Sequence, residues 1–269
     1  MKRILGALIL IVILAVPAVF GPAWVFTVLA AVVVPVCMYE LYRVSIAKDA
    51  RILGWIGLVS SVPFIYELYR SHVSVSYYIL CTTAVIIMLV SLFLYEKGRV
   101  RAQDIMFAIM GLIYPLAMIG FWVLIRAGID GRFWMIFGLV CIFGADAGAY
   151  YVGKNLGRRH FVPRLSPKKT VEGLLGGVAA GIVLGYLCLL IYTRFIALDG
   201  TYPLWFILVL AGCIGILDLA GDLTASLFKR EFKVKDLGNL IPGHGGMLDR
   251  MDGIILVAPL LYLVIKVVS

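Results

Sequence analysis

Residues 203–230 read PLWFILVLAGCIGILDLAGDLTASLFKR, an apolar run of membrane-crossing length that turns polar only toward its end. A hydrocarbon core about 30 Å thick takes roughly 20 residues of helix, and a backbone in lipid must satisfy its hydrogen bonds within the helix. The run therefore reads as a transmembrane helix, but two carboxylates fall inside it. Asp218 and Asp222 are four residues apart and share one helical face, and Ser226 and Arg230 continue the same row. A carboxylate at that depth costs about 2.5–3.5 kcal/mol on insertion scales, so two on one stripe require a cation, a water-filled cavity or basic partners on neighbouring helices.

The rest of the chain repeats the apolar pattern. With 269 residues, 63% of them hydrophobic and only 14% charged, and a mean hydropathy of +1.05, it cannot hide its apolar surface inside one water-soluble core. Nine apolar runs, at about 4–20, 23–42, 52–69, 75–95, 105–125, 133–152, 171–193, 203–228 and 253–268, predict an all-α, polytopic transmembrane bundle of about nine helices. Gly21-Pro22 is all that separates the first two, so this pair is either two full spans or a re-entrant turn. Met1-Lys2-Arg3 ahead of the first run reads as the start of a retained helix, not a cleaved leader.

The net charge of +9 lies in short loops between apolar runs, which points to topology and anionic headgroups and away from nucleic acid. With the N-terminus cytoplasmic, 19 of the 24 Lys and Arg fall inside; the other five are Arg70, Arg126, Arg132, Arg194 and Lys266. The two long loops, 153–170 and 229–252, then both face the cytoplasm, which puts the chemistry on that side and in the C-terminal half. The cell inner or plasma membrane is the expected location, with residues 1–269 as one membrane domain and the catalytic motifs in 140–255. All five cysteines sit in apolar segments at irregular spacing, which offers neither a metal knuckle nor a disulfide framework. The tryptophans, Trp24, Trp55, Trp122, Trp134 and Trp205, read mostly as an interfacial aromatic belt.

Outward from the two aspartates, Lys233–Gly253 reads KVKDLGNLIPGHGGMLDRMDG. Asp249 and Asp252, three apart, face one way if the last helix begins near Met247. Together with Asp218 and Asp222 they make four hard oxygen donors, the kind magnesium takes while leaving positions for substrate phosphates. Between the acidic pairs lie Lys229, Arg230, Lys235, Arg250 and the turn Pro242-Gly243-His244-Gly245-Gly246, whose backbone can approach an anion closely. A second constellation starts at Asp146, inside the sixth run, and continues through Ser166-Pro167-Lys168-Lys169-Thr170-Val171-Glu172-Gly173, where a helix start and two lysines suit phosphate oxygens. His72 and His160 stand alone in loops.

These segments resemble one family. Ser226-x-Phe228-Lys229-Arg230, Lys235-Asp236-x-Gly238 and Pro242-x-His244-Gly245-Gly246-Met247-x-Asp249-Arg250-Met251-Asp252 look like the long signature of the phosphatidate cytidylyltransferases, the CDP-diacylglycerol synthases. Asp146-x-Gly148-Ala149-Tyr150, the 166–173 segment and Asp218-x-x-Gly221-Asp222 are similar to that family's other polar segments, so the resemblance spans roughly 140–255. Ala147 stands where many relatives carry Ser or Thr, and Val171 where many carry Trp.

The resemblance implies a magnesium-dependent nucleotidyltransferase of phospholipid synthesis: CTP and phosphatidic acid give CDP-diacylglycerol and pyrophosphate. A second cation fits such chemistry, membrane lipids are partners, and a homodimer is left open. The expected roles are metal binding by Asp218, Asp222, Asp249 and Asp252; catalysis by Asp222, Asp249, Asp252, Lys229 and Arg250; and substrate binding by Lys168, Lys169, Thr170, Ser226, Arg230, Lys235, His244, Gly245 and Gly246. Asp146, Glu172 and Asp236 complete the polar set. CDP-alcohol phosphotransferases and helical prenyltransferases also present carboxylates to magnesium-bound diphosphates. The DG-x-x-AR arrangement of the first is absent, and the paired aspartates of the second leave the 244–252 segment unexplained. An ion transporter would show two similar halves, whereas the acidic clustering here lies in one half.

Overall fold

The computed structural model describes residues 21–239 and 245–268. The expected helix over 4–20, and Pro242, Gly243 and His244, lie outside them. The described chain is helical: α1 (Ala23–Ser45), a 3-10 turn (Lys48–Ala50), α2 (Arg51–Tyr69), α3 (Val73–Glu96), α4 (Ala102–Gly111), a π turn (Leu112–Ala117), α5 (Met118–Ala127), α6 (Gly131–Leu156), α7 (Val171–Phe195), α8 (Leu204–Glu231) and α9 (Leu248–Val268). Among the described residues there is no strand; an isolated antiparallel bridge joins His160 and Thr170.

Seven helical stretches, Ala23–Ser45, Lys48–Tyr69, Val73–Glu96, Ala102–Ala127, Gly131–Leu156, Val171–Phe195 and Leu204–Glu231, are long and apolar enough to cross a membrane. The protein is a multi-pass membrane protein. On α3 the side chains of Tyr77, Tyr78, Leu89, Leu92 and Phe93 are exposed, an apolar surface suited to lipid. The last helix begins at Leu248, next to the start near Met247 that lets Asp249 and Asp252 face one way, and five residues before the apolar run at 253, because its first turn carries Asp249, Arg250 and Asp252 and escapes a reading by hydropathy.

Two compact units divide these elements. The first comprises described residues 21–127, 232–239 and 245–250. Met38 and Leu41 of α1, Leu53 and Ile65 of α2 and Leu112 and Leu116 of the π turn make its core. Tyr42 passes between α2 and α4: its hydroxyl donates to the Ala108 carbonyl at 2.9 Å, and Gly54 and Gly111 leave the space its ring fills. Pro115 has no N–H to give, and the ladder widens around it into the π turn between α4 and α5. Asp104 ties the start of α4 down by accepting from Arg101 N at 2.9 Å and Ala47 N at 2.8 Å.

The second unit holds 128–231 and 251–268. Along α7, Gly173, Gly177, Gly181 and Gly185 recur every fourth residue and are buried. A Cβ at Gly177 would stand 2.8 Å from the Ala145 carbonyl, so α6 and α7 pack backbone against backbone, the close approach that small residues permit in membranes. At one end Phe133, Trp134, Phe137, Tyr192 and Phe206 meet mostly edge to face. Of the tryptophans expected in an interfacial belt, Trp24, Trp55 and Trp205 are exposed, but Trp122 and Trp134 are core residues at 2% and 0% exposure. Their bulk fills gaps between helices.

Candidate active site

α8 is apolar through its first three turns and then brings Asp218 and Asp222 to one face. Asp218 is 6% exposed. Beside it α9 comes in at backbone distance. A Cβ at Gly221 would strike the Asp252 carbonyl, and one at Gly253 would strike Asp218 Oδ1. The crossing of α8 and α9 is therefore set by two glycines, and it places Asp252 against the Asp218–Asp222 face. The carboxylates of Asp146, Asp222 and Asp252 and the ammonium of Lys169 all act electrostatically on Asp218. Asp252 in turn feels Asp222, Asp146 and Lys229, and its Oδ1 accepts from Gly253 N at 2.8 Å. Of the two α9 aspartates, Asp252 is thus the one that this unit brings to the Asp218–Asp222 face.

Lys169 Nζ stands 2.5 Å from Asp222 Oδ2, with both side chains partly exposed. The loop that delivers it is built from its own backbone. Thr170 is the N-cap of α7, its Oγ1 accepting from Gly173 N at 3.1 Å, and Glu172 accepts from Arg158 N and Arg159 N, both at 3.1 Å. Arg230 Nε reaches the Leu165 carbonyl at 3.5 Å. Of the expected substrate-binding set, Lys169 reaches the acidic cluster, Lys168 is exposed, and Thr170 is buried with its hydroxyl engaged as a cap. Ser226 sits half-buried one turn beyond Asp222.

Asp146, Asp218, Asp222 and Asp252 gather beside Lys169 and Lys229, and all of these donors are hard oxygens, so the set fits a divalent cation of the magnesium kind. Among the described residues, no three His, Cys, Asp or Glu side chains form a finished ligand cage. Lys169 pairs with Asp222, and Gly253 N donates to Asp252 Oδ1.

In the first unit, the segment from Phe232 to Arg250 carries the other signature residues. Phe232 packs edge-on against Phe107, with ring centroids 4.9 Å apart, while Lys235, Asp236 and Arg250 are exposed. Gly245 has φ +84, a backbone conformation that glycine adopts without strain, and its missing Cβ faces Asp236. Asp249 Oδ2 accepts from Leu237 N at 2.8 Å and Gly246 N at 3.2 Å, so this carboxylate also organises the turn ahead of its own helix.

The cytidylyltransferase family model matches residues 1–268. The chain belongs to the cytidylyltransferase family. It is 32% identical to the phosphatidate cytidylyltransferase of Bacillus subtilis over 91% of this chain and 90% of that protein. It is 32% identical to the protein of the same name from Synechocystis sp., over 97% and 94% of the two chains. A 35% match to the phosphatidate cytidylyltransferase of Staphylococcus saprophyticus covers 64% of each.

Two features of this cytidylyltransferase-family chain escaped the sequence reading. One is the spatial use of Gly221 and Gly253, which the motif contained but whose packing role only the helix crossing displays. The other is Glu40, buried in α1 and bonded to the backbone at Met247 and Leu248. Its signal was available: a lone carboxylate inside an apolar run is costly and marks a partner.

Proposed function

We propose that this protein is a phosphatidate cytidylyltransferase, joining the CMP part of CTP to phosphatidic acid to give CDP-diacylglycerol and pyrophosphate. The observation that carries the reading is the α8–α9 crossing, where Asp218, Asp222 and Asp252 meet beside Lys169. Asp218, Asp222 and Asp252 would hold a magnesium ion, with Asp249 one turn earlier on α9 as a further proposed ligand and Asp146 beside the cluster. A second cation suits the same carboxylates. When bound, the metal supplies neutralisation of phosphate charge and of the departing pyrophosphate.

The chain's own residues do the rest. The phosphomonoester of phosphatidic acid has a second pKa near 6 and is already largely ionised at neutral pH, so no side chain need act as a strong base. What the protein must do is hold two mutually repelling anions in line. Lys169, Lys229, Arg230, Lys235 and Arg250 are the proposed phosphate holders, with Lys168, Ser226, His244, Gly245 and Gly246 as further substrate contacts. Thr170 and Glu172 act indirectly by fixing the loop that presents Lys169, and Asp236 by flanking Gly245. The proposed topology is nine spans with the N-terminus and the site on the cytoplasmic side of the inner or plasma membrane. CTP arrives from water and the lipid enters from the bilayer.

Purified protein in detergent or nanodiscs, given labelled CTP, magnesium and phosphatidic acid, should release pyrophosphate only when the lipid is present and should form a lipid-soluble CMP conjugate. Pyrophosphate release independent of phosphatidic acid, or no release with correctly folded protein, would overturn the assignment.

A further inference from the structure

Helix α9 starts at Leu248. The residues before it are Gly245, Gly246 and Met247, none of which has a side-chain oxygen, yet the first N–H groups of a helix need acceptors. The acceptor comes from α1, 207 residues away in the chain: Glu40 Oε1 takes Met247 N at 3.0 Å and Oε2 takes Leu248 N at 2.8 Å. Glu40 is 4% exposed. Its negative charge at the positive end of α9 adds a favourable dipole term to the two charge-assisted bonds.

The neighbouring backbone is moulded on the same carboxylate. A Cβ at Gly238 would collide with Glu40 Oε1, and one at Gly246 would stand 2.6 Å from Oε2. Two stretches of the segment, at 238 and at 246–248, are thereby brought against one side chain. Asp249 Oδ2 closes the same turn from the other direction, through Leu237 N and Gly246 N. Glu40 thus fixes the backbone from which Lys235, Asp236, Asp249 and Arg250 project, and it does so from an element outside the signature.

We propose that Glu40 is a positioning residue for nucleotidyl transfer: it clamps the start of α9 and the Gly238 and Gly246 backbone so that the phosphate-holding side chains of that segment keep one arrangement. This rests on the reading of the protein as a phosphatidate cytidylyltransferase. The role needs both carboxylate oxygens. A glutamine offers one oxygen and one NH2 group, so one of the two backbone N–H groups would lose its acceptor and face a donor. An aspartate keeps the charge and both oxygens on a shorter arm.

The test uses full-length protein with Glu40→Gln and Glu40→Asp. Glu40→Gln should raise the KM for CTP, phosphatidic acid or both by about 10- to 100-fold, the effect of one lost charge-assisted bond in a substrate-holding segment, and Glu40→Asp should fall between it and wild type. Misfolding alone lowers the active fraction, and so kcat, without moving KM. Hydrogen exchange gives a readout independent of activity: Met247 and Leu248 amides should exchange at least about 10-fold faster in Glu40→Gln, while α6 and α7 keep wild-type protection. Wild-type exchange at Met247 and Leu248 would overturn the clamp, and faster exchange with unchanged KM values would overturn its bearing on substrate. Were wild-type protein to lack lipid-dependent turnover, the functional reading would fail while the exchange result still decided the clamp.

Discussion

Asp104 at the start of α4 and Asp218 in α8 are both carboxylates taken almost wholly out of solvent, at 0% and 6% exposure, yet they keep opposite company. Asp104 gathers backbone donors, Arg101 N and Ala47 N, with Arg101 Nε 3.4 Å away. Asp218 gathers other carboxylates, Asp146, Asp222 and Asp252, and one lysine. A carboxylate surrounded by N–H groups is satisfied by the fold and serves it. A carboxylate surrounded by its own kind remains in debt to a cation, and helices retain such an arrangement at a cost in stability when it serves chemistry. Glu40 belongs to the first class by its partners, although the backbone it holds carries residues of the signature.

The contrast predicts that activity and stability will separate by region. The largest effect is expected at the cluster: Asp218→Asn and Asp222→Asn should each cut magnesium-dependent turnover by about 1000-fold or more while leaving the melting temperature near or above wild type, because like-charge repulsion is relieved. Near-normal turnover in both would break the comparison at its centre. Next, Gly253→Ala should lower turnover by about 100-fold, since its methyl group must displace Asp218 or spread α8 from α9. Full activity with an unchanged metal requirement would show that the crossing tolerates the extra carbon. Asp104→Ala should do the reverse of the cluster variants, costing about 2–3 kcal/mol in unfolding free energy by orphaning two backbone donors while folded protein keeps its specific activity. A thermal or denaturant series paired with assays on the folded fraction measures both. The smallest effect is expected of Thr170→Ala, about 1 kcal/mol from the lost α7 cap, with turnover reduced only about threefold. A loss as deep as that of Asp222→Asn would mean that Thr170 touches substrate.

Much of this was legible in the sequence. Each apolar run in the described residues became a helix, with ends moved by a few residues, because hydropathy over a window and the need to satisfy backbone groups in lipid are both local properties. The Asp218–Asp222 stripe was legible for the same reason: i and i+4 share a face wherever a helix forms. Hydropathy alone put the start of α9 at 253, because a charged first turn looks like loop to such a scale, whereas the facing of Asp249 and Asp252 required a start near Met247, and the helix begins at Leu248. Trp122 and Trp134 were misjudged because nearness to a helix end along the chain says nothing about which neighbour covers the ring. The roles of Thr170 and Glu172 in building the 157–172 loop depend on which backbone groups lie within 3.1 Å, which no spacing rule supplies.

By itself, the sequence determined a multi-pass helical membrane protein of the cytidylyltransferase family with its acidic and basic residues gathered in the C-terminal half, since composition, period and motif are written along one strand of residues. Only the tertiary structure decided that Asp252 meets Asp218 across two glycines, that Lys169 lies on Asp222, and that Glu40 caps a helix 207 residues away. Intrahelical bonds join residues four apart and can be read from any short window, whereas the partner of a buried charge is chosen by how distant helices pack.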